Sequence, residues 1–324
     1  MLGAPFAPDV ICHACHTVNR ANAKHCRRCG ALLTPLQVCP HCQTENRAQA
    51  HHCQHCGKPL GENAAPALGK LAPLKVVRAR YQVVYRITQT NTSALYLVKD
   101  LDAAHEKFWA LKEMRAPADA SAGEAFMREA EILARLNHPN LPRLLEGFTF
   151  EERQYLVMEH MRGQTLAILL HKQSSPLSLT EVACWANQLF GVFQYLHDQT
   201  PPILYRDLKP SNVMMEDDSG LLKLMDCGDA AIGALGYAAP EQWQRGESTP
   251  QSDIYALAVL LHQLLTRHDP TTTPFNLPAL ATLNAAVPAG VADAIAKGCA
   301  PDRRDRYATM RDFQAAFQQA TQMV

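Results

Sequence analysis

Eight cysteines in the first 56 residues form four Cys-x-x-Cys pairs: Cys12 with Cys15, Cys26 with Cys29, Cys39 with Cys42, and Cys53 with Cys56. Ten residues separate the two pairs of each set, and every cysteine of the first set recurs 27 positions later in the second. Two such hooks supply four thiolates, the donor set of one closed tetrahedral zinc site. The spacing therefore predicts two structural Zn²⁺ ions, with redox dithiols or another metal as the alternatives. A unit this short has almost no core, so metal binding provides most of its folding free energy, on the order of 10 kcal/mol per site. A catalytic zinc needs an open position, and four sulfurs leave none. Seven of the 14 histidines lie in the same stretch and read as surface or neighbouring groups rather than ligands.

The two units resemble zinc-ribbon repeats, down to Asn19 and Asn46 four residues after the second cysteine of each set. That resemblance implies a structural or adaptor module. Net charge is zero, with 31 basic and 31 acidic side chains, but the sum hides two halves. Residues 1–60 carry six basic against two acidic groups, and the remainder carries 25 against 29. The basic excess invites nucleic acid, yet no Phe, Tyr or Trp occurs between Ala7 and Arg80 to stack on a base. Each zinc centre with four thiolates also adds two negative charges, which cancel the excess. Protein docking is the expected role, with a protein substrate or signalling partner, and nucleic acid is disfavoured. Paired thiols and the absence of a signal-like start predict a cytoplasmic protein. No apolar run approaches the roughly 20 residues of a membrane span, so no membrane partner is expected.

The most specific string is Tyr205-Arg206-Asp207-Leu208-Lys209-Pro210-Ser211-Asn212. It resembles the catalytic loop of protein kinases, with Tyr in the place of the usual His. The resemblance implies that Asp207 orients the acceptor hydroxyl and takes its proton, that Lys209 neutralises charge on the phosphoryl group, and that Asn212 offers an oxygen to Mg²⁺. Asp226-Cys227-Gly228 stands in the Asp-Phe-Gly position, giving a second Mg²⁺ ligand in Asp226, and Ala239-Pro240-Glu241 matches a further signature. By the same resemblance Lys112, in Ala110-Leu111-Lys112, pairs the ATP phosphates, with Glu129 as its helix partner. Leu95, Ala110 and Met214 would sandwich the adenine, Met158 would lie beside it, and Glu159 to Met161 would form the hinge. Asp253 would brace the catalytic loop, and Arg306 would pair with Glu241. The likeness spans about residues 81–318 and is nearest to bacterial Ser/Thr kinases, using Mg²⁺–ATP.

The pattern breaks in two places. Thr88, Thr90 and Ser93 stand where the family has the three glycines of its phosphate loop. Glycines allow close backbone approach and positive φ, which β-branched Thr opposes. The segment from Asp226 to Glu241 is short and holds no Ser or Thr, so a switch by Ser/Thr phosphorylation in it is excluded. Two readings stay open: an active ATP-dependent Ser/Thr protein kinase, and a pseudokinase scaffold or nucleotide sensor with little transfer activity.

Several elements must position these residues. Tyr81–Ile87, Ala94–Lys99, Lys107–Lys112, Leu144–Thr149 and Gln154–Glu159 read as strands, and Ala122–Leu136 as a helix. Ile254–Leu265 reads as a buried helix, and the chain after about residue 165 is mainly helical. The expected architecture is α+β: a bilobal protein kinase-like domain preceded by two small four-cysteine zinc ribbons. The predicted layout is a ribbon module at 1–60 (units 10–31 and 37–60), a Gly/Pro-rich linker at 61–80, and a kinase-like domain at 81–318. Its small lobe is 81–160 and its large lobe 161–318, with a tail at 319–324.

Overall fold

The structure is a computed structural model and describes residues 10–11, 18–20, 23, 27–28, 36–38, 45–47, 68–90, 93–115, 120–217, 219–225, 233–245 and 247–322. It divides into two compact units. One holds Met1–Arg135 and Arg143–His160, and the other holds Leu136–Pro142 and Met161–Val324.

At the amino terminus β1 (Val10–Ile11) pairs with β2 (Val18–Asn19), and β3 (Leu36–Val38) pairs with β4 (Glu45–Arg47). Val10 faces Asn19 and Ile11 faces Val18 in the first hairpin. Gln37 faces Asn46 and Val38 faces Glu45 in the second. The two registers coincide after a shift of 27, so the cysteine repeat is also a repeat of backbone pairing. The eight expected zinc ligands, Cys12, Cys15, Cys26, Cys29, Cys39, Cys42, Cys53 and Cys56, lie outside the described residues. Among the described residues no group of His, Cys, Asp or Glu side chains could hold a metal ion.

The first unit is then built on β5 (Val76–Val77), β6 (Tyr81–Gln89), β7 (Ser93–Asp100), β8 (Phe108–Arg115), α1 (Ala120–Ala134), β9 (Leu144–Phe150) and β10 (Arg153–Glu159). The strands form an antiparallel sheet in the order β5-β6-β7-β8-β10-β9. Alternation along β7 buries Ala94, Tyr96, Val98 and Asp100 and leaves the residues between them half-exposed. With Trp109, Leu111, Phe148, Tyr155 and Val157, the apolar members of that row line one apolar face. Helix α1 covers the opposite face at β9 through Ala130, Leu144 and Leu156. Gly147 permits this, because a Cβ there would stand 2.5 Å from the Ala130 Cβ. The five strands read from the sequence are present; β5 is a sixth, within the segment that composition reads as linker. Val77 in it is fully buried, so part of that segment is packed chain.

The second unit contains β11 (Gly163–Thr165), α2 (Leu166–Lys172), α3 (Leu179–His197), β12 (Val213–Glu216), β13 (Leu222–Leu224), α4 (Pro240–Arg245), α5 (Pro250–Thr266), α6 (Leu280–Leu283), α7 (Ala289–Gly298) and α8 (Met310–Gln322). Ser178 starts α3: its hydroxyl accepts the Glu181 N–H at 3.2 Å, and Glu181 accepts the Ser178 N–H at 3.1 Å. Helix α5 is buried nearly all round, as its unbroken apolar run requires. Phe190 of α3 meets Phe313 of α8 edge to face at 5.1 Å. Among the described residues no helix is long and apolar enough to cross a membrane.

Candidate active site

In the first unit the sheet register gathers the lysine and its apolar neighbours. Thr88 pairs with Leu95, Leu95 with Lys112, and Lys112 with Leu156. One row along, Leu97 pairs with Ala110 and Ala110 with Met158. Because the side-chain period of a strand is two, Thr88, Leu95, Ala110, Lys112 and Met158 share one face, opposite the aromatic core. Lys112 is buried, at 7% exposure. Glu129 falls within α1, but its side chain lies outside the described residues, so the Lys112–Glu129 pair does too. The Glu159 N–H donates to the Arg143 carbonyl at 2.9 Å, and its carboxylate accepts the Arg143 N–H at 3.2 Å. At the tip of the β6–β7 hairpin, Thr90 and Ser93 bond each other. The Ser93 N–H donates to Thr90 Oγ1 at 3.0 Å, and the Thr90 N–H donates to the Ser93 carbonyl at 2.8 Å. Two of the residues that replace glycines thus close the turn.

In the second unit the loop after α3 is held from below by Asp253, in the first turn of α5. Its carboxylate accepts the Tyr205 N–H at 3.0 Å and the Arg206 N–H at 2.9 Å, and contacts His197 Nε2 at 2.8 Å. Two loop amides that lack secondary-structure partners are satisfied this way. Arg206 takes a left-handed conformation, φ +72°, at the bend. Tyr205 is fully buried, and its hydroxyl donates to the Met225 carbonyl. Met225 immediately precedes Asp226 in the sequence, so the phenol ties the Tyr205–Asn212 loop to the chain that leads to Asp226.

Asp207, Lys209 and Asn212 come together. Lys209 Nζ stands 2.6 Å from Asp207 Oδ2. The Asn212 amide donates to the Asp207 carbonyl and to Oδ2, each at 2.9 Å. Pro210 opens the short helical turn that returns Asn212 to the aspartate. The third donor is the Ala234 N–H, 3.0 Å from Asp207 Oδ1. Sequence reasoning missed Ala234, because a backbone amide has no residue signature. The nearby glycines were the available signal: a Cβ at Gly233 would stand 2.4 Å from the Arg206 carbonyl, and Gly236 has φ +87°. Gln242, buried behind them, donates to the same carbonyl at 3.3 Å.

The expected ion pair is formed: the Arg306 guanidinium grips both Glu241 oxygens, at 2.8 and 2.9 Å. Met214 lies on β12 opposite Lys223, and Met161 precedes β11. Asp226 lies outside the described residues. Asn212 fits a magnesium role by donor chemistry: its amide nitrogen is engaged by Asp207, and its hard carbonyl oxygen accepts only a long 3.5 Å contact from the Ser211 hydroxyl, which leaves a lone pair for an ion. By donor chemistry alone, Cys12, Cys15, Cys26 and Cys29 fit zinc as four soft donors, and Cys39, Cys42, Cys53 and Cys56 repeat that set 27 positions on.

A lysine-bearing antiparallel sheet in one unit, and an Asp-Lys-Asn loop braced by a helix in the other, define a protein kinase-like domain of the bacterial Ser/Thr type. The chain belongs to the protein kinase domain family, which matches residues 81–277, and the double zinc ribbon family matches residues 12–57. The serine/threonine-protein kinase PrkC of Bacillus subtilis is 27% identical over 270 residues, covering 76% of this chain and 41% of PrkC. Serine/threonine-protein kinase PknL of Mycobacterium tuberculosis is 32% identical over 239 residues, covering 69% of this chain and 58% of PknL. The crystal structure of the M. tuberculosis PknI kinase domain superposes with a TM-score of 0.67 at 25% identity, covering 77% of this chain and 99% of that domain. The chain spans 41% of the length of PrkC and of the probable kinase PknB of Lactococcus lactis.

Proposed function

We propose that this chain is an ATP-dependent Ser/Thr protein kinase that transfers the γ-phosphoryl group to a protein hydroxyl. The observation that carries the reading is the joined set of Asp207, Lys209 and Asn212. An ionised carboxylate offers about four acceptor positions, and three are filled by Lys209, Asn212 and the Ala234 amide. The remaining position serves an incoming hydroxyl: Asp207 orients it and takes its proton as the phosphoryl group departs from ATP. Lys209 offsets charge on that group. Lys112, with Glu129, positions the ATP phosphates. Leu95, Ala110, Met158, Glu159, Met161 and Met214 hold the adenine end. The chemistry Mg²⁺ supplies when held by Asn212 and Asp226 is neutralisation of phosphate charge. The zinc ribbons recruit a protein substrate or signalling partner, and the reduced thiols they need fit a cytoplasmic setting.

A second reading is favoured by the hairpin tip. The Ser93 N–H and Thr90 Oγ1 already bond each other, so gripping a phosphate there costs an existing hydrogen bond. A scaffold or nucleotide sensor with little transfer would tolerate that. Incubation with γ-labelled ATP followed by phosphoamino-acid analysis separates the two. Labelled phosphoserine or phosphothreonine is expected; nucleotide binding without label in either would support the scaffold.

A further inference from the structure

The segment joining the ribbons to the sheet is clasped by three strands at once. The Gly69 N–H donates to Glu113 Oε2 at 2.9 Å, and Glu113 is itself buried on β8. The Tyr96 hydroxyl of β7 donates to the same oxygen at 2.8 Å. From β6, Arg86 donates to the Gly69 carbonyl at 2.6 Å and Gln89 donates to the Leu68 carbonyl at 3.0 Å. Leu68 is 4% exposed. Gly69 has φ +80°, which strains any side chain and a β-branched one most, and a Cβ on it would stand 2.4 Å from the Gln89 amide that grips Leu68, so a substitution strains the backbone and displaces that amide.

Three of the clasping residues adjoin residues of the nucleotide face. Gln89 lies between Thr88 and Thr90, Tyr96 follows Leu95, and Glu113 follows Lys112. Neighbours on a strand point to opposite faces, so the clasp grips the back of the surface that Thr88, Leu95 and Lys112 front. We propose that Leu68–Gly69 is a strap by which the ribbon module sets the position of the β6–β7 hairpin and of Lys112. This rests on the reading of the chain as an ATP-binding kinase.

Docked is the resting state. Releasing the strap would strip a hydrogen bond from a buried carboxylate, which is costly. Release therefore needs opposing binding energy, such as that of a partner held by the ribbons. Coupling is reciprocal, so nucleotide that favours the ordered hairpin also tightens the strap.

The test compares the full chain with Gly69→Val, whose β-branched side chain opposes the positive φ of the clasp and displaces the Gln89 amide, and with the double variant Arg86→Ala plus Gln89→Ala, which leaves the strap sequence intact. Amide hydrogen exchange is measured with Mg²⁺–ATP affinity. In both variants exchange should rise about tenfold at Thr88–Ala94 and Lys112–Glu113, while β9 and β10 keep their protection. The ATP Kd should rise about tenfold with it. Unchanged exchange at the hairpin, with the residue-69 amide released from Glu113, would overturn the strap. Faster exchange with unchanged Kd would overturn its link to nucleotide. Failure of the unaltered chain to bind Mg²⁺–ATP would overturn the kinase reading, and the exchange comparison would still decide the strap.

Discussion

Arg306 has no solvent exposure in its side chain, so each of its five N–H groups must find a partner inside the fold. Two go to Glu241 and three to the carbonyls of Ala300, Gln251 and Pro301. Burial opposes ionisation of Glu241 and is the largest influence on it. Hydrogen bonds from Arg306, Ser252 and its own backbone N–H, with the charge of Arg306, together outweigh that burial, and its carboxyl is held below the usual carboxylate range. An unfolded glutamate titrates near about 4.3. The pair's contribution is therefore complete above that pH, and it is lost as pH falls through the lower folded value. Glu241→Gln should cost about 3–5 kcal/mol at pH 7, because it strands a buried guanidinium. Urea titrations of both proteins should show that gap narrowing as the pH falls below about 4; equal stability at pH 7 would contradict the account. This pair was legible in the sequence because both members sit at motif positions. Glu113 was not: an acid beside a strand lysine reads as a surface charge, and its strap partner lies 44 positions away.

At the scale of elements, α5 is the post around which the second unit is packed. Gly298, the last residue of α7, lets that helix approach α5 closely: an added Cβ would stand 2.7 Å from the Ala258 Cβ and 3.3 Å from the Phe313 ring. These neighbours belong to packed helices and cannot retreat cheaply. Gly298→Ala should therefore destabilise by about 1–3 kcal/mol, although alanine favours helix elsewhere. Thermal unfolding would show it, and an unchanged or raised Tm would mean the helices are less tightly packed. The long strands and α5 were legible because their burial alternates or runs unbroken over many residues. Strand β5 was not, since two valines among Pro, Lys and Arg carry no period. The grip of Ala234 on Asp207 was hidden for a different reason: its donor is main chain.

For the whole molecule, the sequence carried the order of parts, with ribbon repeat, connector and kinase-like domain read from cysteine spacing and motif order. What it could not carry was that the connector from Leu68 onward is held against the sheet, because Gly- and Pro-rich composition is equally suited to a free linker and to a tight strap. The ribbons should hold two zinc ions per chain. Metal analysis finding one or none would contradict the paired four-thiolate sites. A chelator should expose eight reactive thiols at residues 12–56 without unfolding the large helical unit, whose core contains no metal-ligating cluster among the described residues. The central claim is that Asp207, held by Lys209, Asn212 and Ala234, does chemistry. The direct measurement is the rate of γ-phosphate transfer from labelled ATP, for the unaltered chain and for Asp207→Asn, both shown to be folded and nucleotide-saturated. The variant should be slower by about 10²–10⁴-fold. Equal background signal from both proteins would contradict it.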